Sequence, residues 1–160
     1  MKSFAEFVTE IFDNPSRFNS TYKLKKSGLV GKPDWGVYTF TSNVDGKNLE
    51  MVITQYPKQE TKFMGTIEEY WHIDFRVDDE IRVNDAEGKE IRIFSTVLAM
   101  LREFIKKENP NEIQYSSRSD EKTRVSLYNR LTRVLAKKYG YKIKNTEKRR
   151  AGTYYTLSRR

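Results

Sequence analysis

Acidic side chains that could transfer a proton concentrate in one part of the chain. Residues 68–90 include nine acids and three bases. Within a predicted strand, Glu69 falls on the same side as Trp71, because side chains two residues apart share a face. A carboxylate on that more apolar face is suited to proton transfer, since burial favours its protonated form. Glu68 and His72, on the opposite face, are alternatives, and an ordinary charged sheet surface would explain all three groups equally well.

A second candidate is a cation in an unusual position. Residues 123–141 predict a helix with one continuous apolar face, and Arg124 lies in the middle of that face, in the first turn. Because a buried cation needs a negative partner, one interpretation is a salt bridge to Asp120 or to an acid of the strand that contains Glu69. The other is that Arg124 and Arg118 together bind a phosphate or carboxylate at the amino end of the helix.

Positive charge is segregated in the last third of the chain. Residues 1–110 hold 16 Lys and Arg against 18 Asp and Glu, whereas residues 111–160 hold 14 against 4. This asymmetry favours an anionic partner, either nucleic acid or an acidic protein, although a solvated basic surface is the plainer interpretation. The predicted anion-binding residues are Arg130, Arg133, Lys137, Lys148, Arg149 and Arg150. Tyr141, Tyr154 and Tyr155 lie among them and could stack on bases.

Composition limits the class of protein. The 160 residues are 37% hydrophobic and 13% aromatic, enough for one packed domain over residues 1–160. The chain has no cysteine and a single histidine, so we expect neither a disulfide nor a metal site. No apolar run approaches the ~20 residues of a membrane span, and the amino terminus does not resemble a signal peptide. We therefore expect a cytoplasmic protein without a membrane partner; the sequence does not indicate an oligomeric state.

The remaining elements follow from hydrophobic spacing and from turn residues. Residues 3–6 form a capping box that predicts an amino-terminal helix, and a polar stretch follows through residue 33. Strands are predicted at residues 36–42 and 48–57, joined at Asp45-Gly46, and then over residues 66–78 and 80–94, the last bent around Asp85–Gly88. Ser95 or Thr96 caps the next helix, which ends at Asn109-Pro110. A strand at residues 111–117, the helix over 123–139 and a closing hairpin over 141–158 complete the order.

This order resembles the GNAT N-acetyltransferase superfamily, most clearly over Ile91–Leu157. In that region the chain runs strand, helix, strand, helix, Tyr139-Gly140-Tyr141 and terminal hairpin, and LAKKYGY is similar to the family's L-Y-x-x-L-G-F. The R-x-x-L-Y-x-R-L pattern of Arg124–Leu131 also resembles small uncharacterised proteins encoded by tailed phages. The resemblance implies an α+β fold: a GNAT-like mixed sheet with amino-terminal antiparallel strands, two helices around a parallel strand pair, and a carboxyl-terminal hairpin.

The resemblance also implies a cofactor and its position. Acetyl-CoA or another acyl-CoA would lie between splayed parallel strands at Ile91–Phe94 and Ile113–Ser116 and donate its acyl group to an amine. The family's glycine-rich pyrophosphate loop would precede the helix after the first of these strands, where this chain reads RIFSTVLAM and has no glycine. Ser95 and Thr96 would bind the phosphates there with Arg118 and Arg124, or they would only cap the helix.

The resemblance assigns proton-transfer roles as well. Glu69 would be the general base that takes a proton from the amine. In the family, a tyrosine four residues before the glycine of L-G-F often protonates the leaving thiolate, but here that position is Ala136. Tyr128 is the tyrosine on the same helix that could replace it, or it is a core residue. The sequence thus predicts an unusual acyl-CoA-dependent N-acyltransferase of a bacterial or phage-infected cell. The alternative is an inactive GNAT-fold protein that binds nucleic acid or an acidic protein.

Overall fold

The computed structural model describes residues 15–77, 89–117, 122–150 and 152–159. The predicted helix at the amino terminus lies outside these ranges. The described strands are β1 Phe18–Lys25, β2 Trp35–Val44, β3 Lys47–Tyr56, β4 Gln59–Thr61, β5 Gly65–Ile67, β6 Tyr70–Val77, β7 Glu112–Ser117, β8 Lys142–Arg149 and β9 Gly152–Ser158. The described helices are α1 Lys89–Glu108 and α2 Lys122–Tyr139.

Seven of the strands form one mixed sheet in the order β1-β2-β3-β6-β7-β9-β8. Every neighbouring pair in it is antiparallel except β6 and β7, which run parallel and are connected through α1. Strands β4 and β5 form a separate small hairpin between β3 and β6. Amino-terminal antiparallel strands, a parallel pair with helices and a carboxyl-terminal hairpin are the predicted architecture, so the GNAT-like α+β fold class is confirmed.

The β2–β3 hairpin forms where the turn residues predict it. Asp45 and Gly46 both have positive φ, 53° and 86°, which a tight two-residue hairpin turn requires. The Oδ1 atom of Asn43 accepts a hydrogen bond of 2.9 Å from the Gly46 amide. In β2, alternate side chains such as Tyr38 and Phe40 are buried, because one face of the strand packs on the core.

Both helices pack on the same face of the sheet. The Phe104 ring of α1 lies 5.1 Å from the Trp71 ring of β6, and the Tyr128 ring of α2 lies 5.0 Å from the Tyr115 ring of β7. Trp71 pairs with Ile113, two residues before Tyr115, and paired or alternate side chains share a face. The opposite face is polar, and within the described ranges no helix covers it. The core therefore lies between the helices and one side of the sheet.

The structure corrects one predicted strand and adds another. Residues 91–94 belong to α1 and not to a strand, so the predicted parallel pair of Ile91–Phe94 with Ile113–Ser116 is wrong in its first member. The parallel partner of β7 is β6 instead. Strand β1 lies within residues 16–33, where the sequence indicated only a polar stretch. Its side chains are nearly all exposed, so it shows little of the alternation that marks a half-buried strand.

Candidate active site

The sheet opens between β6 and β7 at the carboxyl ends of these strands. Their pairing covers three positions among the described residues, namely Trp71 with Ile113, His72 with Gln114 and Ile73 with Tyr115. Beyond them, residues 74–77 of β6 pair with β3 and residues 116–117 of β7 pair with β9. We call this gap the β6–β7 opening. It has the location in which α/β sheets commonly bind ligands, outside the carboxyl ends of adjacent parallel strands.

The backbone of the β6–β7 opening has hydrogen-bonding capacity for a ligand. Residues 74–77 of β6 use one edge of the strand for β3, and their other edge faces the opening. Backbone N–H and C=O groups at such an edge can pair with an extended ligand that contains amide groups, as they would with another strand. Helices α1 and α2 follow β6 and β7 along the chain, so their amino ends, which favour anions, lie toward the same end of the sheet.

The three paired positions, at which β6 and β7 meet, form the vertex of the opening. His72 lies at this vertex, on the polar face of the sheet. It is the middle residue of the three paired positions of β6, is half-buried and stands opposite Gln114. Burial lowers the pKa of His72 below its usual value of 6.5, against the opposing effects of the Gln114 side chain and the Asp74 carboxylate. The imidazole is therefore neutral near pH 7, the form that accepts a proton.

Three tyrosines occupy the helix-facing side of the same vertex. The Tyr115 ring stacks on Tyr128 at 5.0 Å and on Tyr155 at 5.2 Å. The Tyr115 hydroxyl is hydrogen-bonded to the hydroxyl of Thr132, which donates to the Tyr128 carbonyl oxygen at 2.7 Å. Burial raises the pKa of both Tyr115 and Tyr155, so these phenols stay protonated. Tyr128 is 3% exposed, in agreement with a core residue, yet it lies beside the last paired residue of β7.

The structure places Glu69 differently from the sequence-based expectation. Glu69 lies between β5, which ends at Ile67, and β6, and it is exposed instead of facing the core with Trp71. Its Oε1 atom accepts a hydrogen bond of 2.9 Å from Nε2 of Gln55. Its neighbour Glu68 is exposed as well. Of the three proton-transfer candidates, His72 is therefore the one at the vertex of the opening.

Ser95 and Thr96 do not cap a helix. They lie in the second turn of α1, with exposures of 1% and 0%. The Thr96 hydroxyl donates to the Arg92 carbonyl oxygen at 2.7 Å and accepts a hydrogen bond of 3.0 Å from the Ser16 amide, so it ties the chain before β1 to the helix. The connection that precedes α1 is residues 78–88, which include Gly88 and lie outside the described residues. The lack of glycine in RIFSTVLAM thus concerns the interior of a helix, not the loop before it.

The anion-binding role of two arginines stays a prediction. Arg118 lies outside the described residues. Arg124 belongs to the first turn of α2, as predicted, but its side chain lies outside the described part. The amino end of α2 is nevertheless at the carboxyl end of β7, so the backbone of Arg124 is close to the β6–β7 opening.

The basic residues of the last third extend over α2, β8 and the turn after β8. Their side chains are exposed at Arg130, Arg133, Lys137, Lys148 and Arg150, while that of Arg149 lies outside the described part. We call Lys148, Arg149 and Arg150 the basic turn. Ser117, the last residue of β7, pairs with Thr153, which pairs with Lys148. The basic turn is therefore at the same end of the sheet as the β6–β7 opening.

Two of the three aromatic residues predicted to stack on bases are in the core. Tyr141 is 1% exposed and donates a hydrogen bond of 2.6 Å to the Pro110 carbonyl oxygen, and Tyr155 is 6% exposed. Only Tyr154 keeps a half-exposed side chain. The predicted stacking role of Tyr141 and Tyr155 is wrong, because neither ring presents a face to solvent.

A cavity lies on the polar face of the sheet, toward the amino ends of β6 and β7. Its volume is ≈ 370 Å³, and it is lined by Thr66, Ile67, Glu68, Tyr70, Glu112, Gln114 and Lys144. Gln114 connects this cavity to the vertex, since it is the pairing partner of His72. Lys144 Nζ lies 3.4 Å from Glu112 Oε2. The sequence did not indicate this cavity, because residues 66–70 on one wall are distant along the chain from Glu112, Gln114 and Lys144 on the others.

Comparisons with known proteins give structural matches alone. No protein-family model matches the chain, and no curated protein matches it. One matching chain is from a NatC complex bound to Gag peptide and CoA, at 12% identity and a TM-score of 0.39, covering 76% of this chain and 68% of that one. An N-acetyltransferase from Staphylococcus aureus Mu50 matches at 13% identity and a TM-score of 0.41, covering 89% of this chain and 99% of that one. At these identities and TM-scores, no activity, ligand or partner carries over to this chain.

Proposed function

We propose that this protein is an acyl-CoA-dependent N-acyltransferase. The observation that carries the proposal is the β6–β7 opening: among the described residues, parallel pairing stops after three positions, and no described strand lies beside one edge of residues 74–77. Acetyl-CoA or another acyl-CoA would supply a thioester-activated acyl group for transfer to an amine. An acyl-CoA has amide groups along one part and phosphates at its other end, and the described residues offer binding partners for both.

Each part of the ligand would meet a matching part of the chain. The edge of residues 74–77 that faces the β6–β7 opening would pair with the amide groups. The phosphates would lie toward the amino ends of α1 and α2 and the exposed Lys148 and Arg150 of the basic turn. Arg118 and Arg124 would add charge there, in line with the anion-clamp interpretation of the sequence.

His72 and Tyr128 would handle the two protons of the reaction from opposite faces of the sheet. His72 is neutral and lies on the polar face, so it can take the proton that the amine loses. Tyr128 lies on the helix-facing side beside Tyr115, where its hydroxyl can return a proton to the departing thiolate. The polar-face cavity, which Gln114 connects to His72, is lined by Glu68 and Glu112, whose carboxylates favour a cationic amine as acceptor.

The first experiment measures whether acetyl-CoA stabilises the protein. A ligand at 100 times its dissociation constant adds about 2.7 kcal/mol to the free energy of unfolding, so the melting temperature should rise by several degrees. The double variant Lys148→Glu/Arg150→Glu should weaken binding. Lys58→Glu/Lys62→Glu makes the same charge change at the other end of the sheet and should not. No rise with millimolar acetyl-CoA would refute the proposal.

A second candidate function is binding of nucleic acid without catalysis. It is favoured by the exposed cations on neighbouring elements, Arg130, Arg133 and Lys137 on α2 and Lys148 on β8. Affinity for duplex or single-stranded DNA should then fall steeply between about 50 and about 200 mM salt. Charge reversal at Arg149 and Arg150 should flatten that dependence. No binding at the lower salt concentration would leave these cations as a solvated surface.

A further inference from the structure

Two connections project from the end of the sheet opposite the β6–β7 opening. Residues 26–34 join β1 to β2, and residues 57–69, which include the β4–β5 hairpin, join β3 to β6. The pairs Lys25 with Trp35 and Tyr56 with Tyr70 place both connections at the same end. Because β2 and β3 are adjacent in the sheet, the bases of the two connections are neighbours.

Each connection presents two large apolar side chains to solvent at its tip. Exposure is 60% for Leu29 and 105% for Val30 in the first connection, and 99% for Phe63 and 78% for Met64 in the second. We call these two pairs the apolar tips. Single exposed apolar residues are common on protein surfaces, but four at the ends of two neighbouring projections form a feature that requires an explanation.

Local hydrogen bonds hold the apolar tips in this outward position. The Thr61 hydroxyl accepts a bond of 3.0 Å from the Met64 amide and donates one of 3.0 Å to the Gly65 carbonyl oxygen. In the first connection the Ser27 hydroxyl donates to the Lys32 carbonyl oxygen at 2.8 Å, and the Ser27 amide donates to Asp34 Oδ1 at 3.0 Å. The tips are therefore defined turns, and their apolar side chains do not fold back onto the core.

Lysines flank both tips along the chain. Lys25, Lys26 and Lys32 accompany the first, and Lys58 and Lys62 accompany the second; all five are exposed. Asp34 forms an ion pair of 3.1 Å with Lys26, and Glu60 offsets one charge of the second group. Glu68 and Glu69 lie at the base of the second connection, next to β6. Closer to the tips, residues 25–34 and 57–64 hold five lysines against two acids, so the charge there is complementary to an anionic surface.

We infer that this end of the molecule docks on an anionic phospholipid surface, with the apolar tips inserted among the lipids and the lysines at the headgroups. An interfacial segment buries its apolar side chains ~5–10 Å into the headgroup and acyl boundary while basic residues stay at the anionic headgroups. A lipid surface needs no complementary shape, whereas a protein partner needs roughly 800 Å² of fitted surface on each side. Two separate projecting tips can insert into a lipid surface, whereas they do not form one fitted surface for a protein. This inference is independent of the proposed acyl transfer and departs from the sequence-based expectation of no membrane partner.

The experiment is co-sedimentation of the protein with vesicles. Vesicles of phosphatidylcholine containing about one third phosphatidylserine should bind the protein, whereas pure phosphatidylcholine should bind it at least about tenfold more weakly. Phe63→Ser/Met64→Ser and Leu29→Ser/Val30→Ser should each reduce binding by about tenfold. These positions are exposed, so the variants should fold, which circular dichroism checks. Ile143→Ser is the matched control, since Ile143 is 56% exposed but lies on the strand at the far edge of the sheet.

Several outcomes would overturn the inference. One is the absence of binding to anionic vesicles. Another is binding that both serine pairs leave unchanged while Lys148→Glu/Arg150→Glu removes it, which would assign the attraction to the basic turn. A third is a dimer in solution that Phe63→Ser/Met64→Ser converts to a monomer, together with no vesicle binding, because the tips would then contact a second copy of this chain.

Discussion

At the residue scale, the face of the sheet on which a candidate side chain lies can be predicted only if its residue is inside a strand and not beside one. The sequence predicted an unbroken strand over residues 66–78, and alternation extrapolated through it placed Glu69 on the apolar face. The structure interrupts that strand at Glu68 and Glu69. Alternation holds within β6, where Trp71 is buried and His72 faces the polar side, but it does not extend across the interruption. Periodicity alone cannot reveal such a break, because the residues on both sides continue the same pattern.

The lowered pKa of His72 makes stability depend on pH. The folded protein binds a proton at His72 less readily than the unfolded chain does, so the unfolded chain binds more protons below pH 6.5. The stabilisation is fully present above that pH and is lost as the pH falls through the folded-state pKa. The free energy of unfolding of wild type should therefore decrease more on acidification than that of His72→Gln. Denaturant titrations above and below pH 6.5 measure the difference, and equal decreases would show that the ring is solvated in both states.

The buried hydroxyl of Thr132 should contribute measurably to stability. It donates to the Tyr128 carbonyl oxygen, so the Tyr115 hydroxyl donates to it. Thr132→Val keeps the shape but leaves the Tyr115 hydroxyl without this partner, at a cost of about 1–3 kcal/mol. Adding Tyr115→Phe removes the stranded group, so the double variant should cost less than the sum of the single variants. Chemical denaturation of the four proteins measures this coupling, and strict additivity would contradict the bond.

At the element scale, buried elements were predicted better than exposed ones or those with ambiguous spacing. The β2–β3 hairpin, β7, α2 and the closing hairpin follow from alternation, helical periodicity and turn residues. The start of α1 has the sequence pattern of a strand, since Ile91 and Ile93 alternate with polar residues. This segment is helical because the whole helix packs on the sheet. Strand β1 was missed because an edge strand exposed on both faces has no burial pattern to read.

The end of α2 is fixed by a single residue. Gly140 has φ 74°, and an added Cβ there would meet nothing within 4 Å, so a substitution would act through the backbone alone. Gly140→Ala should destabilise the protein by about 1–2 kcal/mol, because a left-handed conformation is costly for a residue with a Cβ. Gly140→Asn should cost less, since asparagine tolerates this region. Thermal or denaturant unfolding of the two variants tests the order, and equal costs would contradict the explanation.

At the scale of the whole molecule, the two proposed binding regions are at opposite ends of one sheet. The β6–β7 opening and the basic turn are at the carboxyl end of the parallel pair, and the apolar tips are at its amino end. The β6–β7 opening and the basic turn share no residue with the apolar tips, so binding of acyl-CoA should not compete with binding at the tips. The cavity proposed for the amine is closer to them, since Thr66, Ile67 and Glu68 belong to the connection that carries Phe63 and Met64.

This separation can be measured directly. Saturating acetyl-CoA should leave the fraction of protein bound to anionic vesicles unchanged, and vesicles should leave the affinity for acetyl-CoA within about twofold. Lys148→Glu/Arg150→Glu should weaken only the binding of acetyl-CoA, and Phe63→Ser/Met64→Ser only the binding to vesicles. Strong competition between the ligands would mean that the basic turn is the surface that meets the lipid.

The three-position contact between β6 and β7 also divides the sheet by chain order. The described strands on one side of it all come from residues 18–77, and those on the other side all come from residues 112–158. The amino-terminal side can complete its own strand pairing during synthesis before the other side exists, and the last step is closure of a short ladder with α1 across it. Such a boundary is where sub-global opening separates a protein into cooperative units. A ligand held between the two units would join their unfolding into a single transition.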